Sequence, residues 1–252
     1  MPTPAPPLAA LTTLVTRPGE QNAALCKRIA SLGGATIALP VIVIEPLLCE
    51  PLTDRFDLVI FVSAHAVRYG LEQAQTSRIA AIGPATATAL AAAERPANMI
   101  APPPHTSESL LSLPEFAHTA GQRILIVRGA GGRELLSEEL LARGAHVRCA
   151  NVYRRTAAHH APRDIAALEE RWTRGEVNIV TLTSVDILDH LLALLSERGR
   201  RLLQQTPFVA ISERIERAAR AKGLVGECVR AAAADDEAIV NALMHWHAQP
   251  PS

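Results

Sequence analysis

The sequence predicts an α/β fold: two similar doubly wound domains with parallel sheets. Three observations carry the expectation. Strand-like apolar runs alternate with helical patterns along the chain. Runs such as LVIF and ILIV are apolar without alternation, the pattern of parallel strands buried on both faces. The chain also repeats itself, in two different ways.

The first repeat opens at Leu11 and reads LTTLVTRPGEQNAALCKRIASLGGATIALPVIVI to Ile44. A short strand ends at Arg17 and turns at Pro18-Gly19. A helix follows with Leu25, Ile29 and Leu32 on one face. It stops at Gly33-Gly34, where a left-handed C-cap is expected, and an apolar strand comes next. The segment Phe56–Leu71 is a buried-type strand running into Ser63, an N-cap position, and then a helix. Arg78–Ala93 adds a strand and a helix across Gly83-Pro84. A late helix is expected over Thr106–Phe116.

The pattern then returns. QRILIVRGAGGRELLSEELLARGAHVRCANVYRR, Gln122 to Arg155, is a strand to Arg128 and a turn at Gly129. Its helix carries Leu136, Leu140 and Leu141, stops at Gly144, and leads into a strand. Val177–Leu192 matches Phe56–Leu71, with Ser184 at the N-cap. Pro207–Gly223 matches Arg78–Ala93. A last helix starts at Asp235-Asp236-Glu237, three acids well placed for its dipole. This order permits a simple cut near residue 120. It equally permits a discontinuous domain, with Val41–Leu47 and Val147–Arg155 as paired linker strands.

Composition narrows the function. The chain has 252 residues, 48% of them hydrophobic, enough for a core, and only 3% aromatic, so Leu, Ile, Val and Ala must fill it. Lys+Arg and Asp+Glu both number 25, which gives no basic surplus for nucleic acid. Four cysteines, Cys26, Cys49, Cys149 and Cys228, form no CxxC pair, which argues against a zinc site and suits a reducing cytosol. MPTPAPPLAA is a poor signal peptide, and no apolar run approaches the roughly 20 residues that span a bilayer. The ends, 1–9 and 248–252, are expected to fray. His159-His160 and His245/His247 do not share a face and read as solvated surface histidines rather than a metal site.

ILIVRGAGGRELL raises the possibility of a nucleotide. However, Gly129, Gly131 and Gly132 do not complete G-x-G-x-x-G, because position 134 is Glu. No Gly-Lys-Ser/Thr follows either. Two rival functions remain beside an enzyme of another kind. One is a non-catalytic two-domain ligand-binding protein. The other is a nucleotide-dependent enzyme built on the Gly129 turn.

Taken in order, several pieces resemble the uroporphyrinogen-III synthase family. They are LVTRP (14–18), LGGATIALPVIVIEP (32–46), FDLVIFVSAHAV (56–67), AAIGPATATAL (80–90), ILIVRGAGGRELLSEELLARGAHV (124–147), VYRR (152–155), VTLTS (180–184) and VAISERIERAA (209–219). Order and spacing carry the likeness rather than any one motif. The chain departs from the family at Ser63-Ala64-His65, where Ser-Ala-Asn is usual. It departs again at Ser212-Glu213-Arg214-Ile215, where many members carry Gly-Pro-Thr-Thr.

The resemblance implies a discontinuous first domain (1–40 with 155–252), a second domain (47–146), linker strands (41–46 and 147–154) and an active site in the cleft between domains. It implies a cytoplasmic, monomeric lyase of heme biosynthesis without cofactor or metal. Its substrate is hydroxymethylbilane, a linear tetrapyrrole with eight carboxylates, dehydrated and cyclised with inversion of the last pyrrole ring. No nucleic acid or membrane partner is implied. Tyr153 matches the family tyrosine that assists departure of the hydroxyl. Substrate carboxylates would meet helix N-termini at the carboxyl edges of the strands, after Thr16, Phe61, Ile82, Val127, Thr183 and Ile211. That assigns substrate binding to Arg17, Pro18, Ser63, Ala64, His65, Gly83, Pro84, Thr86, Arg128, Gly129, Ser184 and Ser212. Arg17 and Arg128 add forked pairs to carboxylates, so alanine at either is expected to raise the Michaelis constant.

Overall fold

The computed structural model describes residues 5–48, 52, 54–73 and 75–249. The chain divides into two compact units, residues 1–43 with 156–252 (unit 1) and residues 44–155 (unit 2). It starts in unit 1 with β1 (Thr12–Val15), α1 (Gly19–Ser31) and β2 (Ala35–Ala38), and leaves along β3 (Ile42–Pro46). Unit 2 runs β4 (Leu58–Phe61), α2 (Ala64–Gly70), β5 (Ile79–Ala81), α3 (Pro84–Ala92), β6 (Met99–Ile100) and α4 (Ser107–Leu111), then β7 (Arg123–Gly129), α5 (Leu135–Ala142) and β8 (His146–Ala157). The return through unit 1 gives α6 (Pro162–Thr173), β9 (Ile179–Leu182), α7 (Val185–Leu194), α8 (Glu197–Gln205), β10 (Phe208–Ala210), α9 (Glu213–Ala221), β11 (Cys228–Arg230) and α10 (Asp236–His247).

Unit 1 holds a five-stranded sheet of order β11-β10-β9-β1-β2, and unit 2 a six-stranded sheet of order β3-β8-β7-β4-β5-β6. The ladders β1–β2, β1–β9, β9–β10 and β10–β11 are parallel in the first. So are β4–β5, β4–β7, β5–β6 and β7–β8 in the second. Matching the repeated segments, β1 with β7, β2 with β8, β9 with β4, β10 with β5 and β11 with β6, gives one strand order in both sheets. The fold is thus α/β with two similar, parallel-dominated sheets. The two expected linker strands, β3 and β8, are hydrogen-bonded neighbours and also extend unit 2's sheet, where β8 pairs with β7 from His146 to Tyr153.

Burial explains the apolar strands. In unit 2, Val59, Phe61, Leu125 and Val127 face one side, with Ala66, Val67 and Leu90 of α2 and α3 packed on them. Their neighbours Leu58, Ile60, Ile124 and Ile126 face the other, under Leu110 and Leu111 of α4 and Leu136 and Leu140 of α5. Each strand therefore buries both of its faces, as a sheet covered by helices requires. In unit 1, Val15, Ile179 and Val209 meet Leu25 and Ile29 of α1 and Ile239, Val240 and Leu243 of α10. All four Phe residues are buried.

Helix ends follow their sequence signals. Gly33 and Gly144 stand at φ +83° and +82°, the left-handed C-cap conformation. Ser63 and Ser184 accept hydrogen bonds from the amides of Ala66 and Ile187, both at 3.0 Å. Asp235 caps α10 through Ala238 N–H at 2.8 Å.

Some expectations change. The helix over Thr106–Phe116 breaks into α4 and a single 3₁₀ turn at Pro114–Phe116, because proline cannot continue a helix from within. The described part of the N-terminal end does not fray. Leu8 is fully buried and its N–H reaches Leu32 O at 3.0 Å; residues 1–4 and 250–252 lie outside the described residues. Cys26, Cys149 and Cys228 are free thiols, and Cys49 lies outside the described residues. Two of the histidines are not simply solvated: His160 Nε2 meets Pro40 O at 2.7 Å and His247 Nε2 meets Ala9 O at 2.8 Å.

Candidate functional site

At the carboxyl edge of unit 2's sheet lies a concavity of about 180 Å³. Parallel strands put their carboxyl ends and the following helix starts at one edge, so loops from β4, β7 and β8 converge there. Its lining includes Val62, Ser63, Ser107, Arg128, Gly129, Arg133, Tyr153 and Arg155. A larger open groove of about 540 Å³ runs between β11 and α10 in unit 1. It contains none of the residues expected to act. Its Cys228 thiol is pushed up to about 11, by burial first and then by the Glu216 carboxylate, so it stays protonated at neutral pH.

Tyr153 is placed by a bulge. Arg128 of β7 stands opposite Asn151, but the next residue, Gly129, stands opposite Tyr153, leaving Val152 as an extra residue of β8. The Tyr153 ring lies across Gly129: a Cβ there would come within 2.6 Å of its Cε2 and Cζ and 3.0 Å of its hydroxyl. Gly129 is thus still strand. Its expected role in the turn passes to Gly131, at φ +74°. Ala130 N–H donates to Tyr153 O at 2.8 Å and fixes the strand against the loop. The Tyr153 side chain is 3% exposed, flanked by the rings of His65 at 5.7 Å and Tyr69 at 6.3 Å between centroids. Its hydroxyl is 3.1 Å from Ser63 Oγ, whose oxygen also accepts the Ala66 N–H.

Arg128 is largely buried and held. Its guanidinium pairs with Glu134 through two nitrogens and its Nε reaches Asn151 Oδ1 at 3.2 Å. The Glu134 hydrogen bond is the main cause that raises Arg128 above its ordinary value, and the Arg128 hydrogen bond is the main cause that lowers Glu134. A carboxyl lowered in this way contributes above its ordinary range near 4.5 and loses that contribution as pH falls through the lowered value. The pair therefore holds at neutral pH. Glu134 is also the N-cap of α5. A carboxylate at that helix start disfavours the pyrophosphate that the nucleotide reading would place there.

The remaining expected residues fall elsewhere. Ala64 and His65 form the first turn of α2, next to Ser63. Gly83 is the N-cap of α3 and Pro84 its first residue; neither α2 nor α3 has an acid in its first turn. Thr86 lies within α3, on its buried side, at 4% exposure. In unit 1, Pro18 and Ser184 cap α1 and α7, the latter with Asp186 in its first turn. Ser212 precedes α9 without a side-chain cap bond, and Glu213 and Glu216 occupy that first turn. Those two acids oppose a further carboxylate, so the six helix starts are not equivalent.

Arg17 has a different place from the one expected. It is 5% exposed, and its guanidinium pairs with Asp236 at the start of α10 and reaches Ala234 O at 3.3 Å. Buried Asn22 supports the same turn through Val15 O at 2.9 Å and Arg17 O at 3.0 Å. Arg17→Ala leaves Asp236 without its partner. The expected loss is about 2 kcal/mol in urea unfolding, less than for a fully buried pair because Asp236 is part-exposed. A raised Michaelis constant with an unchanged unfolding midpoint would return Arg17 to the substrate.

Ser107, Arg133 and Arg155 line the concavity without having been singled out in the sequence. Arg155 stood in view within VYRR, two residues past Tyr153. Ser107 lay in a segment read only as a helix start.

Comparison with known proteins agrees with this architecture. Residues 23–241 match the family described as uroporphyrinogen-III synthase HemD (HEM4). The chain is 35% identical over 249 residues to the uroporphyrinogen-III synthase of Escherichia coli K12, covering 92% of this chain and all of that one. It is 28% identical over 216 residues to a putative uroporphyrinogen-III synthase of Methanothermobacter thermautotrophicus, covering 79% and 83%. Among solved structures, the uroporphyrinogen-III synthetase of Helicobacter pylori 26695 superposes with a TM-score of 0.64 at 15% identity, over 94% of this chain and 99% of that one. A mutant Thermus thermophilus uroporphyrinogen III synthase gives 0.59 at 19%, over 93% and 99%; both likenesses concern the fold. The chain belongs to the uroporphyrinogen-III synthase family.

Proposed function

We propose that the chain converts hydroxymethylbilane into uroporphyrinogen III, as a cyclising hydro-lyase of heme biosynthesis. Family membership supports the activity. The observation that carries the mechanism is the Tyr153 phenol, held at the concavity by Gly129 beneath its ring and Ser63 beside its oxygen.

In this reading Tyr153 Oη–H donates to the oxygen of the substrate's hydroxymethyl group. The C–O bond breaks and water leaves, and the resulting azafulvene cation is attacked by the last pyrrole ring. Attack through that ring's substituted carbon gives a spiro intermediate. The original bond from that carbon to its methylene bridge then breaks, and the bridge carbon re-bonds at the ring's unsubstituted α-carbon. Loss of the proton from that α-carbon restores the inverted pyrrole. Water is the sole by-product, and no electron is transferred. Because the substrate also closes spontaneously to the unrearranged isomer, the chain's main contribution is orientation. Ser63, Ala64, His65, Gly83, Pro84, Arg128 and Gly129 belong to the binding surface of unit 2 in this proposal, and Pro18, Ser184 and Ser212 to that of unit 1.

A cytoplasmic monomer of 26.9 kDa belongs to the same proposal. Among the described residues no helix is long and apolar enough to cross a membrane. The activity is tested in a bacterium lacking its own uroporphyrinogen-III synthase: expression of this chain should restore growth without added heme. Failure of a well-expressed, folded chain to do so counts against the assignment.

A further inference from the structure

The concavity beside Tyr153 is lined by three arginines, Arg128, Arg133 and Arg155, and by no carboxylate. Two of the three are answered by the protein. Arg128 is closed onto Glu134, and Arg133 stands 3.8 Å from Glu108. Arg155 is exposed and has no ion-pair partner among the described residues. Its neighbour Arg154 projects away and pairs with Glu45, Nε to Oε2 at 2.8 Å. Arg155 is thus the cation at this site whose charge is left for a ligand.

We propose that Arg155 is the substrate-anchoring residue of this site, and that it grips a carboxylate arm on the pyrrole ring bearing the leaving hydroxymethyl group. The inference rests on the functional reading above and adds to it a named specificity determinant. Three physical arguments support it. A guanidinium offers two parallel N–H donors to a carboxylate, which fixes direction as well as affinity. Residues two apart on a strand lie about 7 Å apart along it, so Arg155 and the Tyr153 hydroxyl address two groups of one ring. Arg128 lines the same surface but is already matched in charge by Glu134, a pair that also ties the β7 edge to the α5 start. This moves the sequence-based expectation of a carboxylate-binding arginine from Arg128 to Arg155.

The test compares Arg155→Gln, Arg155→Lys and Arg154→Gln with the wild-type chain. Initial rates with hydroxymethylbilane give KM and kcat separately. Fluorescence titration with uroporphyrin III, an octacarboxylate that cannot react, gives binding without turnover. For Arg155→Gln, KM and the porphyrin Kd should both rise about tenfold, the range of a charge-assisted hydrogen bond, with kcat within about twofold. Lys should recover part of the loss, because it keeps the charge but not the fork. Arg154→Gln makes the same charge change one residue away and should leave both constants within about twofold. The proposal is overturned if Arg155→Gln matches wild type, or if Arg154→Gln has an equal effect. Absence of isomer III from the wild-type reaction defeats the functional reading instead. The porphyrin titration then judges Arg155 by itself, and equal affinity of wild type and Arg155→Gln overturns the anchor.

Discussion

Tyr153→Phe lowers kcat by about a hundredfold and leaves KM near its wild-type value. The change removes one oxygen. A phenol that donates to the departing hydroxyl acts in the transition state, where general-acid assistance is worth about 10² or more. The ring remains over Gly129 and between His65 and Tyr69. Ser63 loses its contact with the phenol at 3.1 Å but keeps the amide of Ala66, so α2 stays capped. Unfolding should therefore shift by only about 1 kcal/mol, the scale of one hydrogen bond. Steady-state kinetics beside a urea titration checks both expectations. Near-normal kcat would remove Tyr153 from the chemistry and leave positioning by shape alone.

Gly129→Ala tests the same placement from the other side of the ring. The added methyl would lie 2.6 Å from Tyr153 Cε2 and Cζ, too close for any real contact, so the ring or the strand must move. Overpacking of this kind costs about 1–3 kcal/mol. The β7 edge is fixed by the Ala130–Tyr153 hydrogen bond and the Arg128–Glu134 pair, so the ring is what gives way. The expected result is a loss of about 2 kcal/mol in unfolding, with kcat reduced at least about tenfold in the folded fraction as the hydroxyl leaves Ser63. Alanine at Gly131 is a useful contrast. That residue has open space around its Cβ position but a positive φ, so its effect should be backbone strain without displacement of Tyr153. Wild-type kcat in Gly129→Ala would contradict the described packing.

Much of the fold was legible because the repeat is physical. Apolar strands without alternation demand helices on both faces, and Val59 and Phe61 against Leu58 and Ile60 meet that demand. The two matched segments of each kind predict one strand order for both sheets, and the sheets have it. Ser63, Ser184 and Asp235 were recognisable as caps because a single short polar side chain suffices for that task. Helices α6 and α8 have no counterpart among the expected elements, although Ile165, Leu168 and Trp172 keep helical spacing behind Pro162.

The site was harder to read for a different reason. Ser63, Arg128, Gly129 and Tyr153 could each be named, and the structure gathers them at one edge. Which arginine is free could not be named, because pairing depends on tertiary partners. Asp236, which closes on Arg17, lies 219 residues away in sequence. Glu134, which in the sequence only breaks a glycine motif, neutralises Arg128. The bulge that sets Tyr153 over Gly129 arises from a register shift between β7 and β8, and neither strand reveals it alone.

The central claim is that this chain directs hydroxymethylbilane to the inverted-ring product. The most direct measurement is the isomer composition formed from hydroxymethylbilane with and without the chain, after oxidation to porphyrins and chromatographic separation. Uroporphyrin III should dominate with the chain present, at a rate proportional to its concentration, against uroporphyrin I in its absence. Isomer I alone, at the rate of the protein-free reaction, would contradict the account.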